Sequence, residues 1–267
     1  MEVVGSTEFG IVLNAPKVFL VGKTEMSTSA MNEYLLHRHA DWNRPNIGDF
    51  NRTEAVVEAA GRVCYQSWNN PGKKTTEEYI RTSILDHAHG SVLEHVWLNF
   101  MVADIPRSTQ LELVRHGDGT AFSFESTRFT DKYMRFVCPP AYRDDQILFD
   151  AWYASVERSA TMYQHLLVSY DPGETDTATL ARKRKKEAAR AVLPNSLGSD
   201  GMFSCNLRAF RWITEIRSDP SADQSIREFA IELFNAGISA VPSVLSDAEA
   251  TLHDDRTMSI AYKNRKV

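Results

Sequence analysis

Apolar and polar positions along this chain follow two rhythms, and the switches between them mark its elements. Lys17 to Gly22 (KVFLVG) is a short run of β-formers, which predicts a strand. Residues 23–54 carry no regular rhythm and read as an irregular polar segment. From Thr53 to Tyr65, the apolar residues Val56, Val57, Ala60 and Val63 recur at helical spacing. Asn69 to Lys74 (NNPGKK) predicts a turn. Thr75 with Glu78 makes a capping-box pattern that opens a helix carrying Tyr79, Ile80, Ile84 and Leu85. Val96 to Ala103, with Trp97, Phe100 and Met101, reads as an apolar strand. Asp104-Ile105-Pro106 then predicts a helix start, with Asp104 as N-cap and Pro106 near the first turn. That helix ends in the apolar run Leu111, Leu113 and Val114. Tyr133 to Tyr142 has the prolines and aromatics of a connection. Asp145 to Tyr170 predicts a long amphipathic helix, with Ile147, Trp152, Val156, Met162, Tyr163 and Leu166 on one face. Asp171-Pro172-Gly173 stops it. The tail from Thr251 to Val267 is polar, and its pattern assigns it no place.

Composition narrows this picture without singling out a function. A chain of 267 residues with 43% hydrophobic content can bury one large core, so residues 1–267 are expected to form one domain. A net charge of −5 argues against general nucleic-acid binding. The cysteines, Cys64, Cys138 and Cys205, lie far apart with no CxxC or CxxH spacing, and read as reduced thiols in a cytoplasmic protein. No membrane span, signal pattern or internal repeat is apparent.

The candidate chemistry is concentrated in three segments. Arg115 to Phe129 (RHGDGTAFSFESTRF) gathers arginines, a histidine, hydroxyls and two glycines after a helix end, an inventory suited to holding phosphate. The ordinary alternative is a polar loop with a salt bridge. His89-Gly90-Ser91-Val92-Leu93-Glu94-His95 places two histidines and a glutamate within seven residues. Its spacing differs from HExxH and no further ligand lies nearby, so no metal site is expected; a cap or a core histidine is the plain reading. His37 and His39 lack a third ligand too. Ala188 to Gln224 supplies Arg190, Asn206, Arg208 and Arg217, each of which could instead form a surface ion pair. The basic run Arg182 to Lys186 (RKRKK) could neutralise a phosphorylated or polyglutamylated ligand, but a solvated helix face explains it more simply.

These segments together resemble the flavin-dependent thymidylate synthases. The family signature opens Arg-His and closes Ser-x-Arg-aromatic, as Arg115-His116 and Ser126-Thr127-Arg128-Phe129 do here, with Gly119, Phe122 and Ser123 matching its interior. The His-x-x-x-x-Glu-His element matches His89, Ser91, Glu94 and His95. Arg190 precedes the Leu193-Pro194 of an Arg-x-x-Leu-Pro element. Asn206 and Arg208 fit an Asn-x-Arg pair, and Ile216-Arg217-Ser218-Asp219 fits Leu-Arg-x-Asp. Departures fall at Glu112, Gly117, Phe124, Trp212 and Ser221, where the family usually has other residues.

The resemblance implies an α/β fold with a central, mostly antiparallel sheet surrounded by helices, in a homotetramer with sites between subunits. It implies FAD held by His89, Ser91, Glu94, His95, Arg115, His116, Asn206, Arg208 and Ile216. It implies a nucleotide held by Glu112, Glu125, Ser126, Thr127, Arg128, Arg190 and Arg217, with Arg217 at the pyrimidine as the catalytic residue. The implied reaction is reductive C5-methylation of dUMP and UMP, with methylenetetrahydrofolate and NADPH as co-substrates and no enzyme nucleophile. A strict dUMP enzyme and a catalytically silent nucleotide-binding flavoprotein remain the alternatives.

Overall fold

The computed structural model describes residues 3–7, 10–42, 51–69, 74–130, 134–174, 177–254 and 256–265. The strands are β1 (Val3–Thr7), β2 (Gly10–Leu13), β3 (Lys17–Lys23), β4 (Trp97–Pro106), β5 (Thr120–Phe124), β6 (Met134–Val137), β7 (Gly198–Asn206), β8 (Ala248–Leu252) and β9 (Met258–Tyr262). The helices are α1 (Thr28–His37), α2 (Arg52–Tyr65), α3 (Thr76–Tyr79), α4 (Arg107–Leu113), α5 (Pro140–Arg143), α6 (Gln146–Ser169), α7 (Ala178–Ala189), α8 (Leu207–Ser218) and α9 (Gln224–Ile238).

The largest sheet runs β3-β4-β7-β5 and is antiparallel throughout. A smaller sheet, β1-β2-β6, joins β2 to β6 in parallel, and β8-β9 is a hairpin. Strand alternation divides the large sheet. Val18, Leu98, Phe100, Val102, Phe203 and Cys205 point into the core, where residues of α8 and α9, among them Phe210, Ile213, Phe229 and Leu233, cover them. Among the described residues, no helix covers the side chains of Phe19, Met101 and Met202 on the opposite face. Phe19 pairs with Met101 and Met101 with Met202, and these side chains are 54%, 41% and 39% exposed. The expected α/β fold with an antiparallel central sheet is present, and α8 and α9 cover its core face.

Several predicted elements appear where expected. Thr75 and Glu78 exchange both capping-box hydrogen bonds, at 3.2 and 2.9 Å. The helix they open is one α turn that widens into a π-helical turn over Ile80–Leu85. Asp145 caps the long α6, accepting from Ile147 N and Leu148 N. Other expectations need correction. The segment 23–54 contains α1, whose Leu35 packs with Met26, Trp42 and Trp68. Tyr133 to Tyr142 contains β6 and α5. The tail forms the β8-β9 hairpin, which places Ile260 and Tyr262 in the main core. Residues 70–73 of the predicted turn lie outside the described residues.

Asp104 is not a helix cap. The β4-β7 ladder runs on through Ile105↔Ser199 and Pro106↔Gly198, across an irregularity that puts Asp104 at φ 58. Its buried carboxylate instead meets Arg135 Nε at 2.7 Å. Pairing with a long central strand outweighs a local capping signal.

Candidate functional site

The signature segment is built by strand pairing as much as by its loop. Thr120, Phe122 and Phe124 pair with Cys205, Phe203 and Gly201 of β7. The ordinary alternative of a polar loop does not describe the middle of the segment, which is β5; only its two ends turn. Gly119, at φ +70, precedes the strand, and a Cβ there would lie 2.6 Å from Asn206 Nδ2. Gly201 lies under the Phe124 ring; a Cβ at Gly201 would lie 2.3 Å from that ring. Phe124, a departure from the family pattern, is thus seated on an absent side chain and stacks with Phe122 at 6.0 Å.

At the first end, α4 and α8 bring Glu112, His116 and Arg217 together. Arg217 Nε donates to His116 Nε2 at 2.8 Å, Nη1 to Glu112 Oε2 at 2.9 Å and Nη2 to the Glu112 carbonyl at 3.2 Å. An imidazole nitrogen that accepts cannot carry the proton, so the His116 proton resides on Nδ1. Burial, and secondarily the Arg217 charge, push His116 down to about 4. His116, expected on the cofactor, thus shares the Arg217 cluster in this chain. Because an unfolded histidine titrates near 6.5, the unfolded chain binds the proton first, and stability falls as pH drops from about 6.5 to about 4. Wild-type protein should therefore lose more of its urea midpoint between pH 7.5 and 4.5 than His116→Gln, which keeps an acceptor for Arg217. Equal losses would remove His116 from the account.

At the second end, Ser126 to Thr130 forms a tight turn in which Phe129 N and Thr130 N both donate to Ser126 O. Arg128 N donates to Ser126 Oγ at 3.4 Å, and Arg128 Nη2 meets Glu187 Oε2 of α7 at 2.9 Å. Thr127 Oγ1 and Arg128 Nε are buried and have no hydrogen-bond partner among the described residues. Glu125 is engaged by Arg135, at 2.9 Å, and by Asp200 N. Arg135 also holds Asp104 and Asp200. Burial raises the Asp104 carboxyl despite the neighbouring arginine. Arg190, in a 3-10 turn after α7, is exposed.

The other expected residues line two clefts. Glu94, Asn206 and Arg208 line one of about 690 Å3, with Asp118, Gly119, Trp212 and Arg265. Across it Arg208 Nη1 meets Glu94 Oε1 at 2.6 Å, and Asn206 caps α8 by accepting from Ala209 N. His89 and Ser91 line the second, of about 410 Å3, beside Cys64, Tyr65, Tyr79 and His87. The His89 ring stacks on His87 at 6.0 Å. His95 and Arg115 are exposed, and Ile216 is 38% exposed. A Cβ at Gly117 would meet nothing within 4 Å, so this departure leaves open space. Ser221 turns back onto Asp219. Cys64 is exposed on the rim of the second cleft, whereas Cys138 and Cys205 are buried and burial pushes both thiols up.

Sequence reasoning missed Arg135, Lys186 and Glu187. The latter two had a signal: 183, 186, 187 and 190 recur on one helix face, one turn before Arg190.

Comparison with known proteins identifies the family. The Thy1 family, described as thymidylate synthase complementing protein, matches residues 47–243. A flavin-dependent thymidylate synthase of Mycobacterium marinum is 36% identical over 231 residues, covering 83% of this chain and 88% of that protein. One from Mycolicibacterium gilvum is 34% identical, covering 90% and 93%. Among solved structures, a UMP/dUMP methylase from Streptomyces cacaoi bound with 5-Br UMP superposes with a TM-score of 0.62 at 23% identity, covering 88% of this chain and 94% of that one. Thymidylate Synthase X from Helicobacter pylori, with FAD and dUMP, gives 0.58 at 18% identity, covering 87% and 98%. The fold is shared with both structures, and with a family match over most of its length this chain belongs to the Thy1 family of flavin-dependent thymidylate synthases, a family of enzymes.

Proposed function

We propose that the chain, with residues 1–267 acting as one catalytic unit, methylates C5 of a uridine 5′-monophosphate, accepting dUMP and UMP. Methylenetetrahydrofolate is the carbon donor in this reading. The observation that carries it is the guanidinium of Arg217, fixed by Glu112 and His116 beside the signature segment. Attack by C5 requires an electron-rich, enolate-like pyrimidine, and a preorganised cation next to a ring oxygen stabilises the negative charge which that form places on the oxygen. His116, held neutral, adds no second positive charge beside Arg217 and presents an Nδ1–H donor. Ser126, Thr127, Arg128 and Arg190 bind the 5′-phosphate, for which the unpartnered Thr127 Oγ1 and Arg128 Nε are suited groups. Glu125 orients the turn through Arg135 rather than meeting phosphate itself.

The residues present fit a flavin nucleotide. The cleft of Glu94, Asn206, Arg208 and Trp212 combines arginine and amide donors with an aromatic surface, and Gly119 keeps its floor clear. His89, Ser91, His95, Arg115 and Ile216 complete the set in this reading. FAD held there would, once reduced by NADPH, supply the hydride, and these residues would bind and orient it. The open sheet face carrying Phe19, Met101 and Met202 supports association of copies, and we assign the homotetramer to it. The inclusion of UMP rests on the departures at Glu112, Phe124 and Trp212 and on the likeness to the Streptomyces cacaoi methylase.

The purified protein should show flavin absorbance and, with NADPH and methylenetetrahydrofolate, convert both nucleotides to their 5-methyl forms. Conversion of dUMP alone makes it a strict thymidylate synthase. Flavin turnover with neither nucleotide methylated would sink the assignment.

A further inference from the structure

The densest positive charge in the sequence lies on α7, and part of it faces the protein. Lys186 is 3% exposed, and its Nζ donates to Phe129 O at 3.2 Å and Thr130 O at 2.8 Å. These carbonyls close the turn that begins at Ser126. An ammonium is poorly accommodated away from water unless its donors are taken up, so its place here marks a geometric demand of the turn. The same face of α7 adds Lys183, 5.1 Å from the Phe129 ring, and Glu187, paired with Arg128. Residues spaced by three and four share one side of a helix, so one face of α7 grips the turn at Arg128, Phe129 and Thr130.

We propose that Lys186 is a positioning residue for the nucleotide phosphate. It ties residues 126–130 to α7 and holds Ser126, Thr127 and Arg128 in one arrangement, without touching the phosphate. Capping consecutive carbonyls with an amine is what lysines do at helix C-termini, and here it fixes a turn instead. Preorganisation of this kind improves binding by reducing the ordering that the ligand must impose. The inference rests on the reading of this turn as the phosphate site.

The test compares dUMP with deoxyuridine, which lacks the phosphate. Lys186→Met should raise the dUMP Kd at least about tenfold while leaving the deoxyuridine Kd within about twofold. Lys185→Met removes the same charge from the same helix and should leave the ratio of the two affinities as in wild type. If Lys186→Met does not fold, Lys186→Gln, which retains amide donors, should show a smaller change in the same direction. A wild-type ratio in the folded Lys186 variant overturns the positioning role. An equal loss in Lys185→Met also overturns it, assigning the effect to long-range charge. If wild-type protein binds dUMP no better than deoxyuridine, the phosphate reading of the turn fails first, and this inference with it.

Discussion

Arg217→Ala is expected to lower turnover by about 10²–10³-fold, the usual effect of removing one preorganised donor from developing charge. The loss should appear in single-turnover oxidation of the reduced enzyme at saturating nucleotide and folate, because the contact strengthens as charge builds on the ring. Flavin retention should change little, since the Glu94, Asn206 and Arg208 cleft does not include Arg217. The substitution also leaves Glu112 without the fork that pairs it at 2.9 Å. A variant that turns over normally while folded and flavin-loaded would remove Arg217 from the chemistry. A Cys-free variant should keep its turnover, because Cys138 and Cys205 are buried and burial disfavours their thiolates, and Cys64 lies on the rim of the second cleft.

The second large effect concerns stability. Arg211 is 2% exposed and donates to both Asp247 oxygens, at 2.6 and 3.0 Å, to the Val244 carbonyl and to the Asn264 carbonyl. Its guanidinium also lies 4.1 Å from the Tyr262 ring. Burial pushes the Asp247 carboxyl up, but the Arg211 fork outweighs it and holds the group below its ordinary value. Arg211→Ala leaves that carboxylate buried and uncompensated, which costs about 3–5 kcal/mol. In a chain of this size the melting temperature should fall by roughly 10 °C. The double variant Arg211→Met/Asp247→Leu should lose less than the single one. If the double variant is the less stable, the penalty lies in lost packing and not in an unpaired charge.

The sequence made the framework readable wherever one local rule decided it. The capping box at Thr75 and the long helix after Asp145 formed as expected because nothing tertiary competed with them. Asp104 went the other way because pairing with β7 continues past it and Arg135 claims its carboxylate, neither of which a local pattern contains. The interior of the signature had a readable period of two, Thr120, Phe122 and Phe124 inward and Ala121 and Ser123 outward, masked by the glycines and hydroxyls around it. Resemblance nominated the candidate site residues, but no local pattern gave their grouping. His116 was expected on the cofactor, yet it meets Arg217, 101 positions away, and only the packing of α8 against α4 reveals that. Lys186 was lost in a basic run whose neighbours Arg182 and Arg184 are exposed, because charge alone does not tell which residue of such a run turns inward.

The uneven burial of the cysteines gives the chain a ready point of attachment. A thiol-selective reagent meets Cys64 at the surface, while Cys138 and Cys205 are shielded and reluctant to ionise. A fluorophore or spin label can therefore be placed on one atom of the native sequence, at the mouth of the cleft shared by His89 and Ser91, without engineering. Ligand entry there becomes an optical signal from an otherwise unmodified enzyme.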